Sequence, residues 1–141
     1  MSTSSPILLP VAVLVLWTLI MLGWLALTRL PTMSKLRMHP QKFPRTQDLA
    51  SALPQEVQWK ADNYNHLMEQ PTLFYATALA LAVLGAGSGF NLILAWAYVG
   101  LRIAHSVVHA TINKVMLRFS IFCASSAALL ALAVSLLLEL V

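Results

Sequence analysis

This sequence predicts an all-α integral membrane protein: a four-helix bundle forming one domain over residues 1–141. Three observations carry that expectation. First, 59% of the residues are hydrophobic and only 10% are charged, with a mean hydropathy of +0.76. Soluble domains carry about a quarter charged residues. Second, long uncharged runs alternate with short polar segments. Third, the run Ala95–Phe122, AWAYVGLRIAHSVVHATINKVMLRFSIF, spaces Arg102, His105 and His109 three and four residues apart, on one stripe of a helix. Ionisable groups are costly inside a membrane, so that stripe must meet polar partners from elsewhere in the chain.

Helix one is expected at 6–28, PILLPVAVLVLWTLIMLGWLALT, a stretch without any charge. A secretory signal would carry a basic start, a shorter apolar core and a small-residue cleavage site. Residues 1–5 carry no Lys or Arg, and the uncharged run has the ~20 apolar residues that suffice to cross a bilayer, so an anchor that stays is expected. The next thirty or so residues hold Pro31, Pro40, Pro44 and Pro54, together with six of the nine basic residues: Arg29, Lys35, Arg37, Lys42, Arg45 and Lys60. Prolines at that density exclude a long helix and leave room only for a short one around Thr46–Leu53. Short loops rich in Lys and Arg stay on the cytoplasmic side, which places the 29–58 loop there.

Between Glu69 and Arg102 there is no charge, but GAGSGFN at 85–91 interrupts the run with turn residues. Neither half spans ~30 Å of hydrocarbon at ~1.5 Å per residue unaided. Each must therefore take in its polar flank, giving helix two at 59–84 and helix three at 91–110. Helix four follows at 114–139. Four crossings put both termini outside and agree with the basic residues of loops one and three. The single cysteine, Cys123, excludes an internal disulfide.

The arithmetic brings polar residues into the membrane zone at one level. Asp62, Asn65, His66 and Glu69 fall on one stripe of helix two. Arg102, His105 and His109 stripe helix three, and Lys114 and Arg118 open helix four. Similar depth and opposite charge make Glu69 and Arg102 the expected ion pair. Plainer roles stand beside these. Asp62, Lys114 and Arg118 suit snorkelling side chains at the interface, His109 suits a helix end, and His66 and His105 suit packing histidines. Facing histidines also build metal or haem sites in bundles. Trp17, Trp24 and Trp59 read as interface anchors. Nothing in the pattern suggests a nucleic-acid partner, since the basic residues lie in loops beside a membrane without interleaved stacking aromatics.

The run NxxNHLMEQPTLF opening helix two, and YVGLRIAHSVVH with a following LRF across helices three and four, resemble the MAPEG family, the membrane-associated proteins of eicosanoid and glutathione metabolism. The likeness covers essentially the whole chain and is closest to the family's bacterial branch. It implies a homotrimer in a bacterial inner membrane, with membrane lipids and hydrophobic small molecules as its surroundings and partners. It also implies glutathione held between subunits at the cytoplasmic side, by Glu69, His66, Arg102, His105 and a basic residue such as Arg29. Arg118 would be the catalytic residue that stabilises the thiolate attacking a hydrophobic electrophile. The chain departs from the family pattern at several positions. His66 replaces an asparagine and Asp62 an arginine. His109 stands where a tyrosine often does, and Phe119 and Phe122 stand where some members carry a serine and a tyrosine. Thiol activation is thus expected to rest on Arg118, with His109 as a neutral donor. The alternative expectation is a non-catalytic trimer that binds an anionic lipid or amphiphile in the same cationic cleft.

Overall fold

A computed structural model describes residues 4–141, and its ordered elements are all helical among the described residues. In chain order they are α1 (Leu8–Lys35), α2 (Thr46–Ala52), α3 (Gln55–Leu67), α4 (Pro71–Val83), α5 (Gly89–Ala110) and α6 (Val115–Leu140), with a short 3₁₀ turn at Pro40–Lys42. Three of them, α1, α5 and α6, are long and apolar enough to cross a membrane. In hydrocarbon each backbone polar group needs a partner within its own segment, and an uninterrupted helix supplies it. The hydroxyls follow the same rule: Thr18 donates to the Leu14 carbonyl at 2.9 Å, and Thr32 to that of Thr28 at 2.8 Å.

α1 runs beyond the expected end at residue 28 and carries Pro31 within its last turns. It stops where Arg37 adopts a left-handed backbone (φ 51°) and the Met38 amide returns to the Met33 carbonyl at 2.9 Å. α2 coincides with the short helix expected at Thr46–Leu53.

The expected second helix, 59–84, begins earlier and is two helices, α3 and α4. Proline lacks an N–H, and its ring collides with the carbonyl four residues back, so Pro71 cannot continue the hydrogen-bond ladder of α3. The chain bridges Met68–Gln70 with tighter bonds three residues apart: Met68 to Asn65 (3.0 Å), Glu69 to His66 (3.3 Å), Thr72 to Glu69 (3.2 Å) and Leu73 to Gln70 (3.0 Å). Such 3₁₀ spacing lets the axis bend without orphaning the backbone.

α5 lies at the centre, packed against α6, α3 and α1. Its buried face runs Ala95, Tyr98, Val99, Arg102, His105, Ser106 and His109, the period of a helix seated on its neighbours. Around it the core is filled by Leu14, Met21, Leu67, Phe74, Leu81 and Leu132. Trp17 does not act as an interface anchor, because its indole donates to the Ser106 hydroxyl at 3.0 Å and pins α1 to α5. Trp24 receives the Lys60 ammonium over its ring at 5.4 Å. At the opposite end, the Gly85–Ser88 turn is clamped by the N-terminal strap, where the Ile7 amide donates to the Gly87 carbonyl at 3.1 Å.

Candidate functional site in the polar end of the bundle

α3 presents a different face inward from the one its polar pattern suggests. Asp62, Asn65 and Glu69 are exposed, while Ala61, Asn63 and Leu67 are buried and His66 is half-buried. Polar residues occupy both sides of α3, and turning the carboxylates outward is cheaper than burying them unpaired. Only His66 of the expected stripe reaches the interior.

Across from it, α5 supplies His105 and His109. The rings of His66 and His105 stack, with centroids 4.7 Å apart and planes 27° from parallel. His109 meets both edge-on, at 5.9 Å from His66 and 5.7 Å from His105. Phe122 of α6 closes the cluster, edge-on to His66 at 5.8 Å.

Arg102 is 1% exposed, and no carboxylate among the described residues pairs with it. The expected partner, Glu69, is exposed in the turn after α3 and makes no ion pair with Arg102. The guanidinium is held by dipoles and rings instead. Its Nε donates to the Tyr98 hydroxyl at 3.1 Å, and its Nη1 approaches His66 Nδ1 at 3.5 Å. The group lies over the Phe122 ring at 5.1 Å and near that of Tyr98 at 5.4 Å. Aromatic faces attract a desolvated cation by roughly 2 kcal/mol, a fraction of what a buried counter-ion gives. Nη2 is buried with no partner at all.

Tyr98 passes the connection on. Its hydroxyl donates to Gln70 Oε1 at 3.3 Å, and Gln70 Nε2 donates to the Ser126 hydroxyl at 2.8 Å. One chain of side chains therefore links α5, the 68–70 turn and α6. Pro71 bears on this directly, because the turn it forces carries Gln70. Neither Gln70 nor Tyr98 stood out in the sequence, where each reads as an ordinary member of an apolar run. A tyrosine four residues before a buried arginine on the same helical face was the available signal.

Beside this cluster a cavity of about 220 Å³ is lined by His66, His105, Val115, Arg118, Phe119 and Phe122. Arg118 is half-buried, and its Nη1 donates to Asn113 Oδ1, which orients the guanidinium from the turn before α6. Asn113 adopts a left-handed backbone (φ 46°), a conformation asparagine tolerates better than most residues. Arg118 Nε and His109 Nδ1 are buried without partners. His109 touches the histidine cluster but does not line the cavity, and Arg102, Arg29 and Glu69 are not among its lining residues either. The structure gathers His66, Arg102, His105, His109 and Arg118 around one place.

Chemically this is a cationic, aromatic-walled recess opening beside α6. It offers the half-buried Arg118 guanidinium on its wall and the buried Arg102 guanidinium behind His66, and neither a serine or tyrosine hydroxyl nor a cysteine thiol lines it. Such a recess favours an anion with an apolar companion surface. The MAPEG family model matches residues 7–138 of this chain. No curated protein and no solved structure matches it.

Proposed function

The chain belongs to the MAPEG family, and from that membership we propose a membrane-embedded, glutathione-dependent transferase or peroxidase acting on hydrophobic electrophiles. In this reading α3 and α4 together make a fourth membrane crossing, and three subunits assemble with the recess at their cytoplasmic boundaries. The observation that carries it is Arg102, a buried guanidinium with no carboxylate partner and a free Nη2. A cation left uncompensated in a low-dielectric interior is stabilised by a bound anion, and glutathione brings two carboxylates and an ionisable thiol. The fit has a second support: His109 Nδ1 and Arg118 Nε are spare polar atoms next to the cavity.

The roles follow from position. Arg102 donates through Nη2 to a carboxylate, and His66 and His105 flank it as hydrogen-bonding groups. Arg118, on the cavity wall, stabilises the sulfur as a thiolate by the same effect that lowers a cysteine's pKa beside arginine. His109 supplies a neutral N–H where relatives use a phenol. Glu69, exposed on its own subunit, is free to take the amino group of a ligand bound by a neighbour, and Arg29 joins it from within the last two turns of α1. Bound glutathione supplies the nucleophile; its sulfur forms the new bond to the electrophile, and the displaced group leaves with the bonding pair. The electrophile arrives laterally from the bilayer, past Val115, Phe119 and Phe122.

Titration calorimetry of detergent-solubilised protein with glutathione tests the proposal. Binding that weakens at least tenfold in Arg118→Ala supports it; no heat with the wild type removes it. A second reading is favoured by one observation, the wholly apolar outer wall of Val115, Phe119 and Phe122. A trimer that holds an anionic lipid or amphiphile in the same recess, without catalysis, would retain a fatty anion through purification and ignore glutathione.

A further inference from the structure

Four of the cations outside the recess are gathered on one segment. Lys35, Arg37, Lys42 and Arg45 are all exposed, and none forms an ion pair with a carboxylate among the described residues. No acidic residue precedes Asp48 anywhere in the chain. Asp48 itself is exposed, and its amide, rather than its carboxylate, is what contacts Arg45.

Length places this segment. α1 has 28 residues, about 42 Å at ~1.5 Å per residue, while a bilayer with its headgroup layers measures ~40–45 Å. A helix that enters at Leu8 therefore brings Lys35 out among the headgroups. The side chains leading there are lipid-facing in character: Leu27 is 77% exposed, Leu30 65% and Leu36 51%. The chain then turns back instead of projecting into water. The left-handed Arg37 and the Met38-to-Met33 bond reverse it, and the His39 ring accepts from the Gln41 amide at 3.3 Å to open the Pro40–Lys42 turn. Phe43, half-buried, follows that turn before α2 begins. Four cations are thus kept in a layer beside apolar side chains that face hydrocarbon.

We propose that the 35–45 segment is a docking surface for anionic phospholipid headgroups, whose phosphates are held by Lys35, Arg37, Lys42 and Arg45 while Leu27, Leu30 and Leu36 run along the acyl chains. Loop charge that only sets topology requires no fixed turn geometry and no apolar side chains beneath it; this segment has both. Each basic side chain at an anionic surface attracts it measurably, and the attraction fades within a Debye length. This surface is independent of the recess and stands whether or not glutathione binds there.

Native mass spectrometry of the full-length protein, supplied with phosphatidylglycerol or phosphatidylcholine of identical acyl chains, tests it. The wild type is expected to retain phosphatidylglycerol at about threefold or greater excess over phosphatidylcholine. Lys35→Gln, Arg37→Asn, Lys42→Gln and Arg45→Gln combined should bring the ratio to near one; asparagine at 37 keeps the left-handed turn accessible. Lys42→Gln with Arg45→Gln, which leaves α1 and its turn untouched, should lose an intermediate share. Arg118→Ala should keep the full preference. A wild type without preference, a combined variant that retains it, or a loss confined to Arg118→Ala would each overturn the proposal, the last by moving the lipid into the recess.

Discussion

Arg102 sets the terms at the scale of single residues. Its charge is buried, and the groups that hold it are Tyr98, His66 and two aromatic faces. Tyr98→Phe keeps the ring and removes the hydroxyl, leaving the Arg102 Nε and Gln70 Oε1 without their shared partner. An unsatisfied buried donor costs about 1–3 kcal/mol, so denaturation of the solubilised variant should register a loss of that order. An unchanged midpoint would mean that the Arg102–Tyr98–Gln70 chain is incidental. No ion pair joins Arg102 to Glu69 among the described residues, although both lie beside His66. Without ligand, Glu69→Gln and Arg102→Met should couple by no more than about 1 kcal/mol in a double-mutant cycle, the scale of an indirect contact. Coupling well beyond that would show that the carboxylate does reach the guanidinium. The convergence of Arg102, His66, His105 and Arg118 was legible from span arithmetic and helical spacing. The pairing within it was not, because charge complementarity and depth do not decide which of two neighbouring polar residues a helix turns inward. On α3 and the turn that follows it, that choice fell to His66 and Asn63 and against Asp62 and Glu69.

Among elements, the break between α3 and α4 is the feature with most consequence for the site. Pro71 was visible in the sequence, but residues 70–84 are too few to span a membrane alone, and joining them to their polar flank made one continuous helix. Only the missing amide and the ring's collision with the preceding turn divide it. The break then aims Gln70 at Tyr98 and Ser126. α1 continues beyond residue 28 for a related reason: Arg29 and Pro31 look like a terminus, yet the helix ends only where Arg37 reverses the chain. At the far end, the N-terminal strap and the Gly85–Ser88 turn meet with little room. A Cβ added at Gly87 would lie 2.7 Å from Ile7 Cγ2. Gly87→Ala should therefore destabilise the bundle by about 1–3 kcal/mol through overpacking, read as a lower unfolding midpoint. An unaffected midpoint would mean that the strap yields freely. Glutathione binding at the other end should be unaltered in that variant.

For the whole molecule, the all-helical architecture followed from composition together with the length of the uncharged runs and the helical spacing of Arg102, His105 and His109: apolar runs of that length bury their backbone by helix formation. The core packs around α5, whose polar stripe the same composition made conspicuous. Asp62 and Asn65 of α3 and Glu69 of the turn that follows it are exposed in a row. In the trimer we propose, that row faces a neighbour rather than lipid. Mass measurement in native detergent should give three subunits, and monomer or dimer would remove the intersubunit site and the role assigned to Glu69.

The central claim is that the arginines of the recess bind and ionise a thiol. Ultraviolet difference absorbance of the protein with saturating glutathione, at a pH where free glutathione is protonated, addresses it most directly. A thiolate band that appears with the wild type and disappears in Arg118→Ala, while weak binding persists through Arg102, is the result this account predicts. Saturable binding of glutathione without any thiolate band would contradict it.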